Sequence, residues 1–227
     1  MRAVSEVWQK LFSRDAPGKI ICVGINYRDH ASEASQTLPS SPLLFGKFAN
    51  TLIGNGEAIV LPAESTHVDA EAELVAVIGE RAARVGRDAA LDYVYGYTAA
   101  NDVSARDVQF ADGQWFRGKG FDTFCPLLAE IVPARELDPS DLRIVQRLNG
   151  EILQDARTSQ LVFDVPALVS YISHSITLEP GDVVLTGTPS GTGFFREPKV
   201  ALHPGDVVEV EVEGIGLLSN PVVAGPS

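Results

Sequence analysis

The run His67–Gly79, HVDAEAELVAVIG, restricts the fold more than any other stretch of the chain. Side chains alternate along a strand, so Glu71, Glu73, Val75 and Val77 share one face while Ala72, Leu74, Ala76 and Ile78 share the other. Past the second glutamate both faces are apolar. A strand apolar on both sides is covered on both sides, which calls for stacked layers rather than one sheet against solvent. Carboxylates at the end of such a strand must be neutralised, paired or placed on a cation, unless that end frays into water. The fragment alone leaves those readings open.

The rest of the chain supplies short elements that suit a layered fold. KIICVGI is continuous and β-branched, the pattern of a buried strand, and YVYGYTAAND and CPLLAEIVP read as further strands. Asn149-Gly150 between two alternating runs is a strong hairpin signal, and GDVVEVEVEGIGLLSNPVV predicts a half-exposed terminal hairpin. Helices are few: residues 4–12, NYRDHASEASQ with Asn26 as its N-cap, one turn over 87–91, and FDVPALVSYISHS with Pro166 near its start. Many short strands with few helices predict an α+β, mainly β architecture rather than alternating βαβ units.

At 227 residues and 45% hydrophobic, the chain has enough apolar surface for such layers. A net charge of −12 argues against nucleic acid or an anionic membrane as a partner. A small anionic substrate stays open, because local cations override the global field. Cys22 and Cys125 form no CxxC pair, so neither a disulfide framework nor a cysteine zinc site is expected. The first residues carry scattered charges without a signal-like apolar run, and no stretch reaches transmembrane length, so a cytoplasmic location is expected.

Several residues suit chemistry. Asp102 ends the YVYGYTAAND run, so two adjacent strands would bring three carboxylates together. An all-oxygen set suits a hard cation, Mg²⁺ first, with Mn²⁺ or Ca²⁺ as alternatives; otherwise Asp102 caps the turn that follows it. His30 and Glu33 are three apart, on one helical face, where a carboxylate would orient an imidazole as a general base for water, or where both are simply solvated. Lys47, Arg106, Arg117 and Lys119 flank the acids and would hold a carboxylate-bearing substrate, or lie in solvent. The turn TGTPSG offers backbone N–H groups and the Thr188 hydroxyl to an anion, or is only a turn. Trp115 and Phe116 would shape a distal pocket or pack in the core. GxxxxGK[ST], GxSxG and HExxH are absent.

Taken in order, GINYRDHASE, LLFGKF, VDAEAELVAVIG, YTAANDVSARDVQ, GQWFRGKGFDTFCP, LNGEILQDARTS, LEPGDVVLTGTPSGTG and LHPGDVVEVEVEGIG resemble the fumarylacetoacetate hydrolase family, in its short acylpyruvate hydrolase and bacterial isomerase branch. The resemblance runs over residues 18–223. It implies a mixed β-sandwich roll of the C-terminal-domain type, with 1–17 as an N-terminal extension and 18–227 as one metal-binding catalytic domain, commonly in a homodimer. It also implies Mg²⁺ or Mn²⁺ on Glu71, Glu73 and Asp102; a His30–Glu33 dyad and Lys119 as catalytic groups; and substrate contacts from Lys47, Arg106, Gln109 and Thr188. Gly120 stands where many relatives carry serine, and residues 1–17 are shorter than the larger N-terminal domain of longer members.

The expected activity is metal-dependent hydrolysis of the C–C bond of a 2,4-dioxo acid, giving pyruvate and a carboxylic acid. The same chelate would serve a 2-hydroxyhepta-2,4-diene-1,7-dioate isomerase or an oxaloacetate decarboxylase, since all three pass through one enolate. A reading of another class is a non-catalytic dicarboxylate binder, against which an intact dyad argues.

Overall fold

The protein is described by a computed structural model that covers residues 1–226. Two sheets carry the fold. The larger has six strands in the order Val132–Pro133, Val94–Asn101, Ala72–Ile78, Val183–Leu185, Ile20–Gly24 and Leu43–Lys47. All its neighbours are antiparallel except Val183–Leu185 beside Ile20–Gly24. The smaller has five, in the order Glu151–Arg157, Arg143–Leu148, Val207–Val212, Gly216–Ala224 and Ile59–Leu61.

The doubly apolar strand does what its pattern predicts. Leu74, Ala76 and Ile78 meet Ile144, Val210, Val212 and Leu218 of the smaller sheet, with Leu168 and Ile172 of the Val165–Ser173 helix closing the same core. Val75 and Val77, on the other face, pack with Cys22, Val183 and Leu185 against Val4 and Trp8 of the Arg2–Phe12 helix. Trp8 is fully buried and donates its indole N–H to the carbonyl of Gly181 at 2.8 Å, so this helix is stitched down by a polar bond as well as by area. Burying both faces puts Glu71 and Glu73, which precede Val75 on the same side, inside the molecule.

Local signals hold at most boundaries. Asn149 and Gly150 take φ of 52° and 84°, both left-handed, as a type I′ hairpin turn requires. Asp164 caps the Val165–Ser173 helix by accepting the Ala167 N–H at 3.0 Å, and Pro166 occupies its first turn. Two readings change. The helix after the first strand is only Arg28–Glu33, preceded by Tyr27 without a side-chain cap, and Asn26 is spent elsewhere: its amide donates to the carbonyls of Phe163 and Thr186 and accepts the Phe163 N–H. CPLLAEIVP is two short strands, Cys125–Pro126 and Val132–Pro133, split because Leu128 turns to pair its N–H with Ala99. Among the described residues no helix is long and apolar enough to cross a membrane.

Candidate active site

Glu71 and Glu73 sit where the Ala72–Ile78 strand begins, and Asp102 follows directly on its antiparallel neighbour, Val94–Asn101. The ladder pairs Ala72 with Asn101, so the three carboxylates converge at one end of the pair. One oxygen from each lies within 4.8 Å of the others, and all three residues are buried.

Three cations answer this charge. Lys119 Nζ bridges Glu71 Oε2 at 2.7 Å and Asp102 Oδ2 at 2.8 Å. Arg106 donates from Nη2 to Glu71 Oε1 at 2.5 Å and from Nε to Asp69 Oδ1 at 2.7 Å. Lys47 is different. Its three N–H groups go to the carbonyls of Val103, Lys119 and Phe124, at 3.1, 2.7 and 2.7 Å. Asp102 Oδ1 lies 2.7 Å from the same nitrogen but out of hydrogen-bond alignment, so it receives charge without a donor and remains a buried acceptor with no hydrogen bond.

The glutamates diverge in acidity. Burial pushes Glu71 up, yet the charges of Lys119 and Arg106 outweigh it and hold this carboxyl at about 2. Burial raises Glu73, and the charges of Asp102 and Glu71 raise it further, outweighing the bond from the Gly187 N–H at 2.6 Å and the charge of Lys119. Burial alone would lower Lys119, but Asp102 and Glu71 keep its ammonium charged above the usual lysine range.

These residues fit a divalent cation. The donors are all carboxylate oxygens, as hard cations prefer, and Asp102 Oδ1 is a buried acceptor that no hydrogen bond satisfies. Formally, Asp69, Glu71, Glu73 and Asp102 outnumber Lys47, Arg106 and Lys119 by one, and a dication would also remove the repulsion that raises Glu73.

A cavity of about 520 Å³, its open mouth included, adjoins this cluster. Glu71, Arg106, Lys119, Gln109, Thr188 and His30 all line it. Lys47 does not; it stands behind Asp102 as a fixed counter-charge. His30 is buried rather than solvated, with its Nδ1 3.2 Å from Glu33 Oε2. A carboxylate only accepts, so a proton sits on Nδ1, and in the neutral ring it is Nε2 that carries the lone pair. Glu33 is anchored in turn, its Oε1 accepting the Gly191 N–H at 2.8 Å, while Asp29 takes the Ser190 hydroxyl. The short helix is thus bolted to the turn that also carries Thr188.

The apolar lining includes Val23, Phe45, Phe110, Trp115 and Phe195. Trp115 therefore shapes the pocket, whereas Phe116 is 63% exposed and meets the Phe48 ring edge-on. Arg117 is a surface residue paired with Asp112. Two glycines are required by close approach. A Cβ on Gly118 would stand 2.7 Å from Gln109 Cβ and 2.9 Å from the Ala105 carbonyl, so only glycine lets the Lys119 segment reach the acids. Gly187 has φ of 104° and would set a Cβ 2.8 Å from Asn26 Cβ.

Sequence reasoning passed over Asp69 and Gln154. Asp69 splits its carboxylate between Arg106 and the Phe194 N–H at 2.8 Å, tying the arginine to the turn that places Phe195 beside His30. Its signal was its place two residues before Glu71 in the same acidic run.

A family model described as fumarylacetoacetate hydrolase C-terminal matches residues 19–223. The chain is 48% identical to a mitochondrial oxaloacetate tautomerase of Xenopus laevis, over 91% of this chain and 66% of that protein, so it spans about two thirds of that relative's length. Among solved structures, a 5-carboxymethyl-2-hydroxymuconate delta-isomerase from Mycobacterium smegmatis superposes with a TM-score of 0.84 at 45% identity, covering 93% of this chain and 80% of that one. A fumarylpyruvate hydrolase from Pseudomonas aeruginosa, in complex with Mn²⁺ and pyruvate, gives 0.84 at 30% identity, covering 92% and 91%.

Proposed function

Since the chain belongs to the fumarylacetoacetate hydrolase family, we propose that it is a Mg²⁺-dependent enzyme acting on a 2-oxo acid, and that it hydrolyses the C3–C4 bond of a 2,4-dioxo acid to pyruvate and a carboxylic acid. The observation that carries this reading is His30, held through Nδ1 by Glu33, in the same cavity as Glu71, Arg106 and Lys119. Hydrolysis needs an activated water, and a binder needs no base.

Glu71, Glu73 and Asp102 would hold the divalent ion, which when bound polarises the 2-oxo oxygen and supports negative charge there. The residues do the rest. Arg106, Gln109 and Thr188 hold the substrate carboxylate. His30 Nε2 takes a proton from water, Glu33 stabilises the imidazolium that results, and the water oxygen bonds to C4. The C3–C4 bond breaks, its electron pair passing to the enolate. Lys119, charged and 2% exposed, stabilises that developing charge, and a proton returned to C3 from His30 completes pyruvate. Among the described residues the lining holds no full cation beyond Arg106 and Lys119 and its wall is largely aromatic, so an uncharged acyl group fits there better than a second carboxylate does.

A second reading is keto–enol tautomerisation of oxaloacetate, favoured by the name of the frog relative. His30 would then remove a C3 proton while the C2 oxygen gains one, with no water consumed.

The deciding assay compares pyruvate release from acetylpyruvate and fumarylpyruvate with enol–keto conversion of oxaloacetate, with Mg²⁺, Mn²⁺ or EDTA, in parent and His30→Ala. Metal-dependent pyruvate release that falls about 10²- to 10⁴-fold in His30→Ala is the expected result. Tautomerisation without pyruvate release would replace hydrolysis by the second reading.

A further inference from the structure

Gln154, fully buried on the Glu151–Arg157 strand, touches both the acidic strand and the substrate turn. Its Oε1 accepts the Ala72 N–H at 2.9 Å, and its Nε2 donates to the Pro189 carbonyl at 2.7 Å and to Thr188 Oγ1 at 2.8 Å. The amide orientation is fixed twice over. Ala72 N–H can only donate and Pro189 carbonyl can only accept, so a flipped amide would lose both bonds.

The consequence falls on Thr188. Its oxygen already accepts a proton from Gln154, so its own O–H must point to some other acceptor. Among the described residues it donates to none, and Thr188 lines the cavity beside Arg106 and Gln109. We propose that Gln154 is a positioning residue that makes Thr188 an obligate hydrogen-bond donor to the carboxylate of the substrate, so that the site selects 2-oxo acids over neutral 2-oxo compounds. Because Ala72 lies between Glu71 and Glu73, the same amide fixes how far that donor stands from the acidic cluster. The proposal rests on the 2-oxo-acid reading.

The test is the ratio of affinities for pyruvate and pyruvamide, measured calorimetrically on the Mn²⁺-loaded protein, with thermal unfolding recorded for each variant. Gln154→Glu keeps the shape and the Ala72 bond but loses the donor to the Pro189 carbonyl and presents an acceptor to Thr188, whose O–H then turns away from the ligand. Pyruvate affinity should fall roughly tenfold or more, as for one bond to a charged group, while pyruvamide binding changes little. Thr188→Val should give the same loss, Thr188→Ser should restore selectivity, and Gln154→Glu added to Thr188→Val should cost nothing further. Equal loss for both ligands, or additive losses in the double variant, would mean a merely structural role and overturn the proposal. Should Gln154→Glu fail to fold, the contrast of Thr188→Val with Thr188→Ser decides whether the hydroxyl selects the carboxylate, and Gln154→Met, lacking donor and acceptor, replaces it in the cycle. A parent that binds pyruvate with unchanged selectivity in every variant defeats this inference alone, whereas a parent that binds no pyruvate defeats the 2-oxo-acid reading beneath it.

Discussion

Two regions of this protein are built from the same charged residue types and do opposite things. On the outer face of the five-stranded sheet, Arg143 pairs with Asp155, Arg157 with Asp141 and Arg147 with Glu211, at 2.6 to 2.8 Å, most of them close to half exposed. At the head of the Ala72–Ile78 strand, Glu71, Asp102, Arg106 and Lys119 pair at similar distances with almost no exposure. Distance does not separate them. Water competes for every surface pair, so each is nearly interchangeable with its solvated form. In the buried cluster each oxygen must be accounted for by the protein, and the two that are not comfortable, Asp102 Oδ1 and the raised carboxyl of Glu73, mark where a further cation belongs.

The largest effect that would break this contrast comes from the ligand set. Glu73→Ala or Asp102→Ala should abolish detectable Mn²⁺ binding by calorimetry and lower metal-dependent turnover on the order of 10³-fold or more, the loss of several kcal/mol of charge stabilisation. Asp155→Ala and Asp141→Ala, chemically the same change, should leave both unaltered. Metal binding by the surface variants and the buried variants alike would mean that the cluster is not the site.

Next in size is Lys47. Lys47→Met would leave three buried carbonyls and Asp102 without their cation, a loss of about 3–5 kcal/mol, as for one member of a buried pair. Urea unfolding of the metal-free protein reads this directly, and Arg143→Met on the outer face should scarcely move the midpoint. A bound dication should recover part of the Lys47→Met loss, because it supplies charge to the same Asp102.

The outer ladder was legible from sequence and the inner cluster only in part, for one physical reason. Alternation in 207–212 and the Asn149-Gly150 turn are local, so the terminal hairpins could be read from neighbours alone. Glu71, Glu73 and Asp102 stood out because carboxylates are costly at the ends of apolar strands. Singly each was as readily a turn or a fraying end; only their order along the chain joined them. Asn26 looked like a helix cap because its true partners, Phe163 and Thr186, lie 137 and 160 residues away. Gln154 gave no signal at all. An amide on an alternating strand reads as an outward polar residue, and its inward role exists only when Ala72, 82 residues earlier, and Thr188, 34 later, arrive beside it.

The smallest effect, and the finest cut between the two regions, is in acid stability. Glu71 is held at about 2 in the folded protein against an ordinary 4.5, because Lys119 and Arg106 outweigh its burial. A carboxyl with a lowered folded value binds its proton more readily when unfolded, so its stabilising contribution is complete above about 4.5 and is lost as pH falls toward about 2. Asp155 is also lowered, by its bonds to Arg143, but water shares that pair and little stability is tied to it. Urea midpoints of the metal-free protein across that window should therefore fall less steeply in Glu71→Gln than in the parent, while Asp155→Asn keeps the parental slope. Glu73 runs the other way. Burial and the charges of Asp102 and Glu71 raise it, so the folded protein retains that proton as pH climbs past the range where the unfolded carboxyl has lost its own, and the folded state loses stability relative to the unfolded one until a cation takes the proton's place. Binding of Mn²⁺ should accordingly release protons, seen as a dependence of the apparent enthalpy on the buffer, and the release should disappear in Glu73→Gln. Proton release that persists in Glu73→Gln would move the uncomfortable carboxyl elsewhere in the cluster, and with it the account of why the buried charges, unlike the surface ones, call for an ion.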